Sequence, residues 1–320
     1  MWRSDASLSG PVRATIADID GLNRVFSEAF TERYRRDGLS GVRVPHLNPA
    51  VWQFAIEDAG EAAMTWRDAR GEVVAFNMVH HSGSEGWMGP LAVRTDRQGH
   101  GHGQRIVRAG MEWLEKQGVR TVGLETMPRT IDNIGFYSRL GFVPDHLTVT
   151  LQRERPRGTG RAGERLDAAN QAARSRVVRE CFELSSVVVP GVDFTREIEL
   201  TLEHNLGGVS LIRATDGALD GFALWHSAPL AQGRGREELR ILKLTARTTD
   251  LALAVVAAAE REAAAQSLGR LALRCQTRHG ELYAALIEDG FRVQWTDLRM
   301  TLAGKGEQEP RGVMLSNWEI

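Results

Sequence analysis

The sequence predicts an α/β protein of two similar halves, each a mixed sheet flanked by helices. A glycine-rich turn separates an apolar, strand-like run from an amphipathic, helix-like run at residues 87–117. A repeat is also visible, because residues 71–80 align with residues 217–226, and Leu140-Gly141-Phe142 aligns with Asp289-Gly290-Phe291 at nearly the same separation. The length of 320 residues is comfortable for two such domains and too great for one.

These observations predict the boundaries of the parts. We expect a first domain at residues 1–152, a linker at residues 153–164 and a second domain at residues 165–303. The linker is polar, contains Pro156 and three glycines, and shows no periodicity. Residues 304–320 form a C-terminal tail whose last eight residues are apolar enough to dock on one domain.

Composition and charge narrow the class of protein. The 40 basic and 41 acidic side chains nearly cancel, which argues against bulk attraction to nucleic acid or to an anionic membrane. The longest apolar run, residues 251–259, is too short to span a bilayer. Residues 1–10 lack the pattern of a secretion signal, and two cysteines make no disulfide framework. We therefore expect a cytoplasmic monomer or homodimer with no nucleic-acid or membrane partner.

The glycine-rich turn, Gln98-Gly99-His100-Gly101-His102-Gly103, is the most informative segment. The first N–H groups of a helix have no partner within the helix, and the positive end of the helix dipole adds to their attraction for anions. Glycine lets a phosphate oxygen approach the backbone closely. The turn therefore predicts a phosphate site, with a ligand-free polar turn as the alternative.

Three phosphate-binding patterns compete at this turn. A Walker A loop is excluded because Gln104 and Arg105 follow the last glycine. A dinucleotide fingerprint needs a glycine where Ile106 stands. The pattern Gln/Arg-x-x-Gly-x-Gly/Ala fits at Gln98, Gly101 and Gly103. His100 and His102 have no carboxylate or thiol at ligand spacing, so no metal site is expected.

A second group of residues follows downstream. A strand-like run at residues 121–127 ends at Pro128. A short helix then contains Asn133 near its start and Tyr137 near its end, and Gly141 is placed to terminate it. The order of strand, phosphate turn, helix, strand, Asn-x-x-Phe-Tyr and Gly-Phe is far more specific than the turn alone.

With these motifs the chain resembles the GCN5-related N-acetyltransferase (GNAT) family. The resemblance implies two tandem GNAT-like domains, each with a mostly antiparallel mixed sheet and a splayed central strand pair, and it implies acetyl-CoA as co-substrate. It further implies that Tyr137 protonates the leaving thiolate and that relatives build the acceptor pocket around residues 30–55, where Tyr34 and Trp52 stand among arginines. The residues expected to contact the coenzyme are Leu91, Ala92 and Val93 along the pantetheine arm, Gln98, Gly99, His100, Gly101, His102, Gly103 and Gln104 at the pyrophosphate, and Asn133 and Tyr137.

Several residues are candidates for the general base. Glu125 is the first candidate, because in the family's layout its strand borders the acceptor side. His80, His81 and Glu28 are alternatives, and a chain of waters could also remove the proton.

The second half has lost the residues of the phosphate turn. Residues 244–251 occupy the corresponding place and contain no glycine. Leu286 replaces the tyrosine and Leu282 replaces the asparagine. We therefore expect a degenerate domain that supports or shapes the site of the first.

The resulting hypothesis is an acetyl-CoA-dependent N-acetyltransferase that acts on the amine of a small molecule by direct attack in a ternary complex. One alternative is an acyltransferase similar to mycothiol synthase, although there the C-terminal copy is catalytic. The other alternative is a non-catalytic acetyl-CoA sensor or interaction module.

Overall fold

A computed structural model describes residues 8–159, 163–166 and 171–318 of the chain. The two halves repeat one order of elements. In the first half, the elements are β1 (Ser9–Arg13), α1 (Ile19–Arg36), α2 (Pro49–Ala59), β2 (Ala63–Arg67), β3 (Val73–Ser82), β4 (Glu85–Val93), α3 (His102–Lys116), β5 (Thr121–Thr126), α4 (Ile131–Ser138) and β6 (Phe142–Glu154). In the second half, they are β7 (Glu164–Leu166), α5 (Gln171–Val188), α6 (Thr195–Glu203), β8 (Gly207–Arg213), β9 (Leu219–His226), β10 (Glu238–Ala246), α7 (Thr249–Ala265), β11 (Arg270–Gln276), α8 (Gly280–Glu288), β12 (Arg292–Leu302) and β13 (Val313–Ser316).

All of these strands belong to one sheet, in the order β1-β2-β3-β4-β5-β12-β6-β11-β10-β9-β8-β7, with β13 added beside β10. Pairing is antiparallel except at β4–β5 and β10–β11. The final strands of the two halves cross over, because β12 lies between β5 and β6, and β6 pairs with β11 of the second half. The halves are therefore joined by main-chain hydrogen bonds as well as by the linker.

Helices cover both faces of the sheet. In the first half, α3 and α4 pack on one face through residues such as Ile106, Val107 and Tyr137, while α1 and α2 pack on the other through Leu22 and Trp52. In the second half, α7 and α8 cover one face, and α5 and α6 cover the other. Nearly every residue of β3 is buried, because successive side chains of a strand point to opposite faces and helices cover both faces.

Local chemistry sets several helix ends. The Asn48 side chain accepts a hydrogen bond from Ala50 N at 3.0 Å, and Pro49 occupies the first turn of α2, where its missing N–H costs nothing. The short helices α4 and α8 are each followed by a glycine with positive φ, Gly141 at 93° and Gly290 at 98°. The repeat seen in the sequence therefore has the same helix-to-strand turn in both halves.

The predicted linker and tail have partly regular structure. Strand β6 continues through Glu154, and residues 160–162 of the linker lie outside the described residues, as do residues 1–7 of the first domain. Within the tail, residues 313–316 form β13, while residues 319–320 lie outside the described part of the chain.

Candidate active site

Strands β4 and β5 are paired for only part of their length. Parallel pairing runs from Glu85 with Thr121 to Met88 with Leu124 and then stops. Beyond Met88, a bulge at Gly89 and Pro90 interrupts the register between β4 and β3. We call the opening between the unpaired parts of β4 and β5 the first wedge.

The strand residues predicted to contact pantetheine lie along the first wedge. Leu91, Ala92 and Val93 pair with β3 on one side, and within the described residues they have no strand on the β5 side. A strand edge of this kind presents unpaired N–H and C=O groups to whatever enters the opening.

The glycine-rich turn forms a concave row of donors at the start of α3. Gly99 and Gly101 have φ of 81° and 79°, a left-handed conformation that favours glycine, and α3 begins directly afterwards. Five backbone N–H groups of this segment donate to no other group in the described part of the chain. They belong to Gly99, His100, Gly101, Gly103 and Gln104. This amide cradle, together with the helix dipole, has the geometry that the predicted site for a multiply charged anion requires.

Two polar side chains of the turn brace the loop. Gln98 donates from Nε2 to the carbonyl of Val93 at 2.9 Å, which ties the turn to the end of β4. Arg105 donates to the carbonyls of Leu8 and Gly10 at 3.1 and 2.8 Å, which holds α3 against the start of the chain. A cavity of about 430 Å³ begins at Gly101 and Gln104 and extends along the side of α3 past Arg108 and Glu112.

Helix α4 brings the other predicted coenzyme residues beside the cradle. A Cβ atom on Gly103 would lie 3.4 Å from the Phe136 ring, so α4 packs directly beside the turn. Asn133 reaches the end of β5, where its Nδ2 lies 3.4 Å from Thr126 Oγ1.

Tyr137 is buried, with 7% of its surface exposed, between Phe136 and Phe142. Its hydroxyl oxygen makes no hydrogen bond to any described residue, and this atom is not completely enclosed by the protein. Burial raises the pKa of this phenol to about 12, so it stays protonated at physiological pH.

Glu125 projects from β5 on the face opposite α3, since its neighbour Leu124 belongs to the core beneath α3. Its carboxylate accepts hydrogen bonds from Thr148 at 2.6 Å and from Arg274 at 2.5 Å, and Arg299 lies 3.7 Å away. Burial alone would raise the pKa of Glu125, but the two arginines and Thr148 lower it below its ordinary value. A carboxylate held in this way is a weak proton acceptor near neutral pH.

Residues from both halves surround Glu125. Arg274 also contacts Asp297 of β12 at 2.7 Å, and the indole of Trp295 donates to the same carboxylate at 3.3 Å. Tyr34 of α1 packs edge-on against Trp295, with ring centroids 5.8 Å apart. We call Glu125, Arg274, Asp297, Trp295 and Tyr34 the junction cluster. Sequence analysis missed most of it, since only the strand crossing brings Arg274 and Asp297 to β5.

The alternative base candidates are engaged elsewhere. The Nε2–H of His80 donates to the carbonyl of Gly89 at 3.0 Å, and its Nδ1 lies 2.5 Å from Oδ2 of Asp58, so neither ring nitrogen is free. His81 packs edge-on against Trp113. Glu28 accepts a hydrogen bond from Thr95 at 2.7 Å beside an open cavity of about 700 Å³ that also contains Arg43 and His46.

One triad among the described residues has the geometry of metal ligands, namely Asp145, His146 and Glu307. Glu307 of this triad is already paired with Arg278 at 3.0 Å and with Arg299 at 2.9 Å. His100 and His102 remain beside each other in the turn, with ring centroids 6.3 Å apart.

The corresponding turn of the second half, residues 244–251, contains no glycine. Its helix α7 starts one turn after β10, and Thr248 caps it by accepting a hydrogen bond from Leu251 N at 3.3 Å. Leu282 and Leu286 of α8 are buried in the core at the positions that correspond to Asn133 and Tyr137. At these described positions, the residue types predicted to act in the first half are therefore replaced by others.

The wedge, the amide cradle and the short helix define an acyltransferase domain. Residues 23–142 match the model of the Acetyltransferase (GNAT) family. This match supports a GNAT-type acyltransferase domain in the first half of the chain, as the motifs predicted. No protein of the curated set matches the sequence significantly.

Solved structures support the two-domain fold. A proposed acetyltransferase from Pyrococcus horikoshii has a TM-score of 0.67 at 16% identity, covering 100% of this chain and 97% of that one. A tandem GNAT protein of the clavulanic acid biosynthesis pathway has a TM-score of 0.57 at 12% identity, covering 92% and 98%. The N-myristoyltransferase of Saccharomyces cerevisiae, solved with myristoyl-CoA, has a TM-score of 0.64 at 9% identity, covering 97% and 85%. The predicted fold of two tandem GNAT-like domains is confirmed.

Among the described residues, no helix is both long and apolar enough to cross a membrane.

Proposed function

We propose that the protein is an acetyl-CoA-dependent N-acetyltransferase that transfers an acetyl group to the amine of a small molecule by direct attack in a ternary complex. The observation that carries this proposal is the amide cradle. Its unpaired N–H groups lie at the end of a strand whose edge is open toward β5. An acyl carrier with a pyrophosphate at one end of an extended amide-bearing arm matches both features.

The donor would bind with its pyrophosphate on the N–H groups of residues 99–104. Its pantetheine arm would then lie along Leu91, Ala92 and Val93, where amide groups of the arm can pair with the strand edge. Asn133 would contact the arm from α4. Gln98 would contribute by keeping the turn in shape through its bond to Val93 rather than by contacting phosphate itself.

The chemistry requires a neutral amine, a donor for the developing oxyanion and a proton for the leaving sulfur. Backbone N–H groups of the first wedge would stabilise the oxyanion. Tyr137 would protonate the thiolate, since its hydroxyl has no partner among the described residues and burial keeps it protonated.

We propose the junction cluster as the acceptor side of the site. It lies on the sheet face opposite α3, at the point where β5 leaves β4. The aromatic pair Tyr34 and Trp295 and the carboxylates Glu125 and Asp297 suit a small polar amine, which is cationic before it loses its proton. The role of Glu125 as general base stays a prediction, and its ion pairs favour electrostatic attraction of the ammonium over proton removal.

The proposal is tested by measuring thiol release from acetyl-CoA with a panel of small amines. Wild type should release one thiol per acetylated amine, and Tyr137→Phe should turn over more slowly with unchanged affinity for acetyl-CoA. Tyr283→Phe, which changes a tyrosine of the second half, is the matched control. Tight binding of acetyl-CoA with no amine-dependent thiol release would instead support the sensor hypothesis.

A further inference from the structure

The second half also contains an opened pair of parallel strands. Pairing between β10 and β11 runs from Glu238 with Arg270 to Ile241 with Leu273 and then stops. A register shift between β10 and β9 follows Ile241, as the bulge at Gly89 and Pro90 follows Met88 in the first half. We call this opening the second wedge.

The C-terminal strand fills the second wedge. Strand β13 pairs antiparallel with the part of β10 that β11 has left, from Lys243 with Ser316 to Ala246 with Val313. The side chains of β13 point alternately to the two faces of the sheet. Val313 and Leu315 join the core beneath α7, while Met314 joins the core beneath α5 and α6. All three are buried, with at most 6% of their surface exposed. The tail thus lies on β10 where a pantetheine arm would lie on β4.

The residues next to β13 extend the contacts into the first half. Ser316 donates from Oγ to Glu85 of β4 at 3.1 Å. Asn317 donates from Nδ2 to the carbonyl of Arg274 at 2.9 Å. The Trp318 ring lies 3.6 Å from Nζ of Lys243 and stacks on His80 with centroids 5.6 Å apart.

We propose that the second wedge is a peptide-binding site whose resident ligand is the protein's own C-terminal segment, residues 313–318, which contains β13. Its chemistry selects an extended segment with apolar side chains on both faces, since main-chain pairing supplies affinity and the two cores accept alternate side chains. The strand that occupies it closes this half to an acyl carrier, independently of what the first wedge binds.

Hydrogen exchange on the unmodified protein tests the occupancy. Amides of residues 313–316 should exchange as slowly as those of β10, because their strand is buried and paired. Exchange at the rate of an unstructured segment would overturn the proposal. This measurement needs no variant, so it decides the proposal even if a shortened chain does not fold.

Binding in trans tests whether the wedge recognises a peptide. A chain that ends at Gly312 should bind a synthetic peptide of residues 311–318 at one equivalent, with a blue shift of the tryptophan emission relative to the free peptide. A peptide with Met314→Pro and Leu315→Pro should bind about 100-fold more weakly, since at least one proline removes a donor to β10. Equal binding of both peptides, or no binding to a folded truncated chain, would refute the site.

Ligand stoichiometry provides an independent measurement. The full-length protein should bind one equivalent of acetyl-CoA by calorimetry, because β13 occupies the second wedge. A second equivalent bound with the tail in place would contradict the proposal. If the full-length protein bound no acetyl-CoA at all, this result would count against the proposed function and would not contradict the peptide-binding site.

Discussion

The substitution Gly101→Glu places a carboxylate at the amide cradle and tests the assignment of the phosphate site. A Cβ atom on Gly101 would meet no heavy atom within 4 Å, so the new side chain has room. The backbone φ at this position is 79°, however, so a glutamate there would be strained although glycine is not. That conformation costs an L-residue about 1–2 kcal/mol. The same helix offers a matched control in Gly118, which follows α3, has φ of 70° and is equally open.

The two variants should differ in ligand binding and not in stability. A glutamate carboxylate about 5 Å from one phosphate charge, at an effective dielectric constant of about 20, is repelled by about 3 kcal/mol. That energy weakens binding by about 100-fold, and the lost access to the N–H groups adds to it. Gly118→Glu carries the same backbone strain at the far end of the helix and should leave the affinity unchanged.

Isothermal titration with acetyl-CoA measures the affinities, and urea unfolding measures the stabilities. Both variants should lose about 1–2 kcal/mol of unfolding free energy, while only Gly101→Glu loses affinity. If the two variants bound acetyl-CoA equally well, the phosphate site would not be at the turn, and the chemistry built on it would fall.

Further predictions concern catalysis and stability. Tyr137→Phe should lower kcat by about 100-fold without changing the affinity for acetyl-CoA. Because burial raises the pKa of the Tyr137 phenol to about 12, the wild-type rate in steady-state assays should not fall through ionisation of this group between pH 6 and 9.5. Glu125→Gln should raise KM for the amine more than it lowers kcat if the carboxylate attracts the ammonium; a large fall in kcat that is relieved at high pH would identify a general base. Burial alone would raise the pKa of Glu307, but Arg299, His146 and Arg278 lower it to about 2. The ionised Glu307 carboxylate therefore contributes fully to the stability of the folded protein above pH 4.5, and this contribution is lost as the pH falls toward 2. Glu307→Gln should therefore cost about 3 kcal/mol in urea unfolding at pH 6 and less at pH 3, whereas an equal deficit at both pH values would show that the charge is not responsible.

The sequence was informative where structure depends on neighbouring residues. The amide cradle follows from glycines at 99 and 101, because they adopt left-handed conformations that other residues resist. Tyr137 was predicted from the short helix that precedes Gly141, and it packs in the same core cluster as Met88 and Val93 of β4. The repeat also predicted that the second half lacks these features, and Leu286 is buried in the core as the alignment implied.

Glu125 shows where local reasoning was insufficient. Its place on a strand at the acceptor side suggested a base, but its pKa depends on Arg274 and Arg299, which are far away in the chain. A carboxylate's protonation depends on the charges around it, and spacing along the sequence does not give those distances. The same holds for His80, whose ring nitrogens are occupied by Asp58 and by the carbonyl at the bulge.

The sequence by itself determined the fold of each half and the glycine-rich turn at the start of α3, because strand periodicity, glycine conformation and helix ends act over a few residues. Only the tertiary structure decided that β12 lies between β5 and β6, that the second half contributes Arg274 and Asp297 to the junction cluster, and that β13 occupies the second wedge. The physical reason is that a strand edge pairs with whichever strand the whole chain brings to it.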